Sequence, residues 1–281
     1  TNIYPQMRYL IGDVRDKERL IRAFENVDYV IHAAAMKHVH LAEYHPDECV
    51  KTNVNGAKNV IDAALKTNVK KVVALSTDKA CSPINLYGAT KLVSDKLFVA
   101  ANNITGNKKL NFSVVRYGNV MASNGSVIPF FVNNKKLKKD FPITDPKMTR
   151  FNIKIEDGVK MIMFAFKYST GGEIFVPKIP SYNIIDLANA ICEKTKKNIV
   201  GIRPGEKLHE EMISSSDSYN TYDIGKYYII IPNNESFSMD IYKENFTLKK
   251  VDSGFCYNSG TNDDFLSVKD LRKLLQDLNL I

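Results

Sequence analysis

The stretch that decides the fold is KVVALSTDKACSPINLYGATK, residues 71–91. Its first part, Val72–Leu75, is apolar at every position, which is typical of a strand buried on both faces of a parallel sheet. This strand delivers Ser76–Lys79 to its carboxyl end, where open α/β sheets bind their ligands. On the helical stretch that follows, Tyr87 and Lys91 are four residues apart and share one face. The sequence therefore predicts a strand, a polar site and a helix in succession.

Tyr87 and Lys91 indicate acid–base chemistry at this strand end. A nearby ammonium makes a tyrosine easier to ionise, so Tyr87 is a candidate base toward a substrate hydroxyl. The spacing Tyr-x-x-x-Lys is frequent by chance, and it gains weight here because a buried strand with a Ser and a Thr precedes it. The sequence also allows Asp78 and Lys79 to be a solvated ion pair without a chemical role.

Outward from this stretch, short runs of β-branched and aromatic residues alternate with stretches of helical spacing. The predicted strands are Arg8–Ile11, Tyr29–Ala33, Lys71–Leu75 and Asn111–Arg116, and the predicted helices are Asp16–Phe24, Pro46–Lys66 and Tyr87–Asn103. This alternation predicts an α/β fold, a Rossmann-type doubly wound parallel sheet with helices on both faces. Residues 1–120 are interpreted as the remainder of a dinucleotide-binding domain.

The regular alternation ends near residue 120. Beyond it we predict a strand at Glu173–Val176 and helices at Ile155–Lys167, Ile184–Lys194 and Val268–Leu278. Ser267 and Asp270 resemble a capping box at the start of the last helix. Residues 121–281 are predicted to form mainly a smaller substrate-binding α/β lobe, interleaved with the first domain.

The amino-terminal part lacks a feature of dinucleotide-binding folds. Such folds open with a strand, a glycine-rich turn and a helix whose N-terminus binds the pyrophosphate. Here the first predicted strand leads directly into residues 12–16, and only Gly12 and Gly56 precede Gly88 among the glycines. We therefore expect the first βαβ segment to be missing, and a fold that never had the motif is the alternative.

Composition and charge limit the class of protein. The chain has 281 residues, 44% apolar and 25% charged, as in a globular protein with a sizeable core. No apolar run approaches the roughly 18 residues of a membrane helix, and four dispersed cysteines without a CxxC pair favour a reducing, cytoplasmic setting. The net charge of +8 could indicate nucleic acid or anionic ligands. A solvated lysine-rich surface is favoured, with no nucleic-acid or membrane partner, because no RRM, KH or zinc-finger pattern occurs.

Several motifs along the chain carry a family resemblance. They are residues 12–16, 32–39, 52–54, 76–80, 85–91, 116–120, 123–129, 148–151 and 203–210. With these motifs the chain resembles the extended short-chain dehydrogenase/reductase superfamily, and within it the inverting UDP-N-acetylglucosamine 4,6-dehydratases that begin pseudaminic acid synthesis. The Asp78-Lys79 pair is the most specific feature, since simple epimerases of the superfamily lack it. A sister group of epimerising dehydratases carries Met at the position of Tyr87.

The resemblance implies a role for each residue of the central site. Tyr87 would take the proton of the C4 hydroxyl, with Lys91 lowering its pKa and holding the cofactor ribose. Lys79 would then remove the C5 proton, which is acidic beside the C4 ketone, and Asp78 would protonate the leaving C6 hydroxyl. Thr77 would hydrogen-bond the O4 region. Return of the hydride to C6 and reprotonation of C5 from the opposite face would invert C5.

The resemblance also implies binding residues. Those for the cofactor are Asp13, Val14, Ala33, Ala34, Lys37, Asn53, Tyr87, Lys91, Tyr117 and Asn119. Those for the substrate are Lys37, Lys79, Asn119, Ser126, Val127, Arg150, Arg203 and Glu206. Purely structural roles remain possible for two of these sites. Asp13 could be an Asx-turn residue, and Ala33–Ala35 could serve tight packing of a helix against a strand. We expect no metal, since His32, His38, His40 and His45 have no standard ligand spacing.

The resemblance further implies NADP as the cofactor, with NAD possible, a UDP-sugar as the substrate, and a homo-oligomer. It places the enzyme, a lyase, in polysaccharide biosynthesis and flagellin glycosylation. Two other functions stay open at this point. One is a nucleotide-sugar epimerase of the same fold, and the other is a non-catalytic binding protein derived from such an enzyme.

Overall fold

A computed structural model of the chain describes residue 4 and residues 6–234 and 237–281. Its strands are β1 (Tyr29–His32), β2 (Lys71–Thr77), β3 (Asn111–Tyr117), β4 (Asn119–Val120), β5 (Phe141–Ile143), β6 (Thr149–Ile153), β7 (Ile174–Pro177), β8 (Ser181–Asn183), β9 (Lys197–Ile199), β10 (Glu211–Ile213), β11 (Thr221–Asp223), β12 (Tyr227–Ile230), β13 (Lys249–Lys250) and β14 (Tyr257–Asn258). Its helices are α1 (Lys17–Ala23), α2 (Val39–Tyr44), α3 (Pro46–Val50), α4 (Gly56–Lys66), α5 (Leu86–Ala101), α6 (Val127–Lys136), α7 (Ile155–Tyr168), α8 (Ile184–Cys192), α9 (Asp240–Asn245) and α10 (Val268–Asp277). None of the helices in this described part is long and apolar enough to cross a membrane.

Seven strands form the main sheet, in the order β1-β2-β3-β7-β12-β11-β13. The first four run parallel, and β12, β11 and β13 extend the sheet as antiparallel strands. Helices α4 and α5 connect the parallel strands as βαβ crossovers do. The predicted Rossmann-type parallel sheet is therefore confirmed, with an antiparallel extension that the sequence pattern did not indicate.

Both faces of the main sheet are covered, which explains the apolar run in β2. On one face, Val72 and Ala74 pack in a core with residues of α4 and α5. On the other face, Val73 packs in a second core with residues of α7 and α9. Because successive side chains of a strand point to opposite faces, a strand between two cores needs apolar residues at consecutive positions.

A third core belongs to a smaller lobe. It is built mainly from β5, α6, α8 and α10, and its fully buried side chains include Phe131, Phe141, Ile143, Leu187, Ala188 and Leu275. Helix α10 begins with the predicted capping box of Ser267 and Asp270. The elements α7, β7, β11, β12 and β13 also follow residue 120, yet they join the main sheet and its cores. The division of the chain at residue 120 stays a proposal, in its interleaved form.

The strand predicted at Arg8–Ile11 is wrong. These residues are exposed, Ile11 by 94%, and they pair with no strand of the described structure. Their apolar, β-branched composition favours an extended chain, but a strand is stable only when a neighbour completes its hydrogen-bond ladder. Strand β1 pairs with β2 and forms the edge of the sheet.

The helix predicted at Pro46–Lys66 is interrupted by a π-helical turn at Lys51–Asn55, between α3 and α4. Such turns inside helices are frequent at functional sites. The turn contains Asn53, whose Oδ1 accepts a hydrogen bond from the Met36 N–H at 2.7 Å and whose Nδ2 donates to Thr90 Oγ1 at 3.0 Å. Asn53 thus ties the segment after β1 to α5.

Candidate active site

Strand β2 ends in the central polar residues that the sequence predicted. Thr77 Oγ1 accepts a hydrogen bond from the Lys79 N–H at 3.3 Å and donates one to Asp78 Oδ1 at 3.0 Å. This caps a short 3-10 turn over Asp78–Ala80. The turn directs Lys79 from the carboxyl edge of the sheet into a cleft between the main sheet and the smaller lobe, with Asp78 buried beside it.

Lys79 lies between two buried carboxylates. Its Nζ is 3.1 Å from Asp78 Oδ1 and 3.2 Å from Glu210 Oε1, and it also donates to Asn119 Oδ1 at 3.4 Å. Asp78 and Glu210 are only 1% and 2% exposed, whereas the Lys79 side chain is 23% exposed. Asp78, Lys79 and Glu210 are called the buried triad below, and Lys79 is its most exposed member.

Burial and neighbouring charges both shift the pKa values of residues in the triad, and the two effects often oppose each other. Burial raises the pKa of Asp78, against the Lys79 ammonium, and the Glu210 charge raises it further. Burial alone would lower the pKa of Lys79, but Asp78 and Glu210 outweigh it and raise that pKa well above its usual value. In the resting site Lys79 is therefore an ammonium, and Asp78 is a carboxyl that binds a proton more readily than usual.

Tyr87 lies beside the triad on the first turn of α5. Burial raises its pKa to about 12, while the Lys79 charge and a hydrogen bond with Thr77 lower it. The sequence assigned this lowering to Lys91, but the Lys91 ammonium donates to the Leu75 carbonyl at 2.7 Å. The structure therefore differs from the expectation in two respects, because Tyr87 is harder to ionise than usual and its nearby cation is Lys79.

The start of α5 is shaped to bring Tyr87 against the triad. Asn85 caps the helix by accepting a hydrogen bond from the Gly88 N–H at 2.7 Å. A Cβ atom at Gly88 would collide with the carbonyl oxygen of Lys79, so only glycine lets the helix approach the turn this closely. The glycine in Tyr-Gly-Ala-Thr-Lys thus sets the distance between Tyr87 and the strand end.

A cleft of about 800 Å³ extends from Lys79 across the smaller lobe. Its wall includes all but one of the residues predicted to bind substrate, namely Lys79, Asn119, Ser126, Val127, Arg150, Arg203 and Glu206. The exception is Lys37, whose Nζ donates to the Asn124 carbonyl at 2.6 Å and which is not part of the wall.

Three polar atoms of wall residues have no hydrogen-bond partner among the described residues. They are Ser126 Oγ, at the start of α6, Glu206 Oε2 and Glu210 Oε2. Glu206 is paired through its other oxygen with Arg203, whose side chain is 57% exposed. Buried polar groups normally find partners, so these atoms indicate a ligand with hydrogen-bonding groups in the cleft.

The residues predicted to bind a cofactor follow the carboxyl edge of β1, β2 and β3. Ala33 and Ala34 are exposed directly after β1, and Tyr117 and Asn119 lie at and just beyond the end of β3. Asp13 borders a shallow pocket of about 460 Å³, where it pairs with Arg15. Its pKa is lowered to about 2 by that arginine.

Other predicted cofactor residues serve the fold in this structure. Val14 packs against the core beneath α4, at Gly56, and Asn53 holds the segment after β1. The edge nevertheless fits a nicotinamide dinucleotide. The methyl side chains of Ala33 and Ala34 allow a ligand to approach the backbone closely, and the Lys91 ammonium keeps two donors beyond its bond to Leu75 for ribose hydroxyls.

Glu210 and Tyr182 belong to the site but were not predicted from the sequence. Glu210 lies in the matched run of residues 203–210, so its motif was noticed but its contact with Lys79 was not. Tyr182 is fully buried near Lys79, Arg150 and Asn119, and burial raises its pKa to about 12. No local pattern in the sequence distinguishes Tyr182, because it reaches the site only through the pairing of β8 with β6.

Comparison with known proteins agrees with this geometry. A family model described as polysaccharide biosynthesis protein matches residues 1–232. A Campylobacter jejuni protein named UDP-N-acetylglucosamine 4,6-dehydratase (inverting) is 57% identical over 96% of this chain and 83% of its own length. A Rickettsia canadensis protein named UDP-glucose 4-epimerase is 41% identical over 99% of this chain and 82% of its own length.

Solved structures give the same result. The X-ray structure of Pen from Bacillus thuringiensis is similar with a TM-score of 0.88 and 38% identity, over 99% of this chain and 83% of that one. The dTDP-glucose 4,6-dehydratase DesIV from Streptomyces venezuelae, solved with NAD and TYD bound, shares the fold with a TM-score of 0.68 and 24% identity, over 74% of this chain and 71% of that one. The predicted resemblance and the assignment to the lyases are confirmed. The chain belongs to the polysaccharide biosynthesis protein family, in the short-chain dehydrogenase/reductase superfamily, with the inverting UDP-N-acetylglucosamine 4,6-dehydratases.

Proposed function

We propose that the protein is a 4,6-dehydratase of UDP-N-acetylglucosamine, which oxidises C4, eliminates water across C5–C6 and inverts C5. The product is a UDP-4-keto-6-deoxy-L-hexosamine, the first intermediate toward pseudaminic acid and flagellin glycosylation. The observation that carries the proposal is the contact of Lys79 with Asp78 at the end of β2, beside Tyr87. The 57% identity to proteins named as inverting 4,6-dehydratases supports it.

Tyr87 takes the proton of the C4 hydroxyl. Burial opposes the phenolate, while the charge of Lys79 and the Thr77 hydroxyl favour it, so these two groups offset part of the cost of burial. Thr77 is the candidate to hydrogen-bond O4 as the ketone forms, when its hydroxyl would leave Asp78 Oδ1. A bound nicotinamide cofactor supplies the oxidation at C4 and the reduction at C6.

Asp78 and Lys79 then perform the elimination. A proton shift from Lys79 Nζ to Asp78 Oδ1, across 3.1 Å, converts the resting ion pair into a neutral amine and a protonated carboxyl. The amine removes the C5 proton, and the carboxyl gives its proton to the C6 hydroxyl, which leaves as water. Both protons are then accounted for, and the ammonium–carboxylate pair is restored. The burial that raises the pKa of Asp78 favours the shift.

The cleft supplies groups suited to a nucleotide sugar. Arg203 and Arg150 are candidates for the diphosphate, because guanidinium groups form charge-assisted hydrogen bonds with phosphate oxygens. Ser126 Oγ and Glu206 Oε2, which are buried without partners, are candidates to bind sugar or ribose hydroxyls. Arg203 exchanges its partner Glu206 for the ligand in this scheme, which frees a second carboxylate oxygen for a hydroxyl.

NADP as the cofactor, with NAD as the alternative, belongs to the same proposal. Its ribose would be held by Tyr87 and Lys91, and its adenine by Asp13 and Val14. Lys37 would contact the cofactor between these ends, and Asn53 would support the site by holding the segment after β1. A cytoplasmic location and a homo-oligomer stay predictions of the resemblance.

A nucleotide-sugar epimerase is the second candidate, because relatives named UDP-glucose 4-epimerase are 41% identical over 99% of this chain. NMR of the product made from UDP-N-acetylglucosamine with NADP or NAD separates the two. We expect a 4-keto-6-deoxy sugar with a C6 methyl group. A C4 epimer that keeps its C6 hydroxyl would establish the epimerase instead.

A further inference from the structure

Glu210 is the carboxylate of the site that the proposed chemistry does not use. It lies immediately before β10, at 2% exposure, and its Oε1 is 3.2 Å from Lys79 Nζ and 3.7 Å from Arg150 Nε. Its Oε2 is buried without a hydrogen-bond partner among the described residues. Burying a carboxylate costs several kcal/mol unless cations compensate its charge. A buried acid with one unsatisfied oxygen therefore contributes little to the stability of the fold.

The backbone around Glu210 is held without help from its side chain. The Glu210 N–H donates to Ser259 Oγ at 2.9 Å, and its carbonyl accepts from the Ser259 N–H at 2.8 Å. The next residue, Glu211, begins β10, which pairs with β14. The position of the carboxylate is therefore fixed by the fold, and changing the side chain leaves these backbone contacts intact.

Lys79 is held from two sides. Asp78 is its neighbour in sequence, whereas Glu210 approaches from a segment 131 residues further along the chain. A lysine has a flexible four-carbon stem, and a single adjacent carboxylate leaves the ammonium free to turn. The second carboxylate is anchored immediately before another strand, β10. It fixes Nζ in the wall of the cleft, where a ligand can reach Lys79.

We propose that Glu210 is a positioning residue for Lys79: its carboxylate holds Nζ toward the substrate and stabilises the ammonium that forms when Lys79 takes the C5 proton. The proposal rests on the proposed dehydratase function. The arrangement parallels that of Ser-His-Asp triads, in which a buried carboxylate orients the base and stabilises its protonated form.

The charges at Glu210 fit this role. Burial alone would raise its pKa, but Lys79, Arg150 and Lys207 outweigh burial and lower it. Glu210 therefore stays ionised throughout the proposed reaction. The titratable groups that act on Lys79 are Asp78, Glu210, Arg150 and Tyr87. Of the two carboxylates among them, Asp78 exchanges protons in the elimination, and Glu210 supplies the constant charge.

Glu210→Gln tests the proposal, because it removes the charge and keeps the size of the side chain. We expect kcat to fall about 100-fold, with a much smaller change in KM. The rising limb of the rate against pH, where Asp78 loses its proton and can accept one from Lys79, should move to lower pH because the Glu210 charge that raises the pKa of Asp78 is gone. Glu210→Ala, which also removes the contact with Nζ, should reduce kcat further.

Glu211→Gln is the matched control, since it removes the same charge one residue along the chain at a side chain that contacts Asn258. It should behave as the wild type in rate, pH profile and melting temperature. A Glu210→Gln enzyme with wild-type kcat overturns the proposal. So does a lower rate with an unmoved pH limb, which is the signature of a structural defect. If the wild-type protein forms no 4-keto-6-deoxy product, the proposed function itself fails, and the assay shows that before any variant is compared.

Discussion

Two of the carboxylate–cation–carboxylate groups in the described part of the chain differ in solvent exposure. In the open triad, Arg15 lies 2.7 Å from Asp13 and 2.6 Å from Glu48, and all three side chains are between 44% and 49% exposed. In the buried triad, Lys79 lies 3.1 Å and 3.2 Å from its two carboxylates, which are nearly inaccessible.

The same kind of contact has opposite effects on the acids of the two groups. The pKa of Asp13 is lowered to about 2, chiefly by its hydrogen bond with Arg15. The pKa of Asp78 is raised, because burial outweighs the attraction of Lys79. An exposed ion pair keeps its carboxylate charged, whereas in the buried pair the acid binds a proton more readily than usual. The degree of burial therefore distinguishes a surface ion pair from a group that can take part in catalysis.

The largest effect is expected from breaking the buried triad. Lys79→Ala or Asp78→Asn should reduce dehydration about 1,000-fold, because each removes a group that moves a proton in the elimination. Binding of UDP should persist, since Arg150 and Arg203 are untouched. Product NMR measures the first effect and calorimetry with UDP the second. Turnover near that of the wild type in either variant would remove that residue from the mechanism.

A smaller effect, on stability, should have the opposite sign at the same residue. The folded protein binds the Asp78 proton more tightly than the unfolded chain does, so Asp78 lowers the free energy of unfolding as pH rises above the usual carboxyl pKa of about 4. Asp78→Asn removes this cost and leaves Lys79 paired with Glu210. We expect its melting temperature at neutral pH to rise by a few degrees over that of the wild type, with the difference vanishing in acid. A lower melting temperature at neutral pH would contradict the assigned direction of the pKa shift.

The smallest effect is expected in the open triad. Glu48→Gln leaves Arg15 paired with Asp13, and exposed ion pairs contribute little because water and salt screen them. The melting temperature and the rate of dehydration should match the wild type at moderate ionic strength. A loss of activity comparable to that of Glu210→Gln would show that exposure does not separate the two groups.

The sequence predicted the parts of the fold and site that depend on local pattern. The apolar run Val72–Leu75 predicted a strand between two layers, and the order Ser76–Lys79, Tyr87, Lys91 placed polar groups at its end. These predictions rest on periodicity and on the geometry of strand and helix, which neighbouring residues determine. The strand ladder and the first turns of α5 agree with them.

The parts that escaped prediction depend on contacts between distant segments. Glu210 meets Lys79 across 131 residues, and Tyr182 reaches the site through strand pairing. The bond of Lys91 to the Leu75 carbonyl depends on how closely α5 packs on β2, and this distance cannot be derived from spacing alone. The residues at Arg8–Ile11 have strand-like composition, but a strand also needs a partner, which composition does not reveal.

The most direct test of the central claim, that the buried triad eliminates water with inversion at C5, is NMR of product made in deuterated water. Lys79 takes the original C5 proton, and the new proton must reach C5 from the opposite face and come from solvent, so we expect one deuterium at C5 of a 4-keto-6-deoxy sugar with inverted C5 configuration. The hydrogen delivered to C6 should come from C4 of the substrate. Retained configuration at C5, or a product that keeps its C6 hydroxyl, would contradict the account.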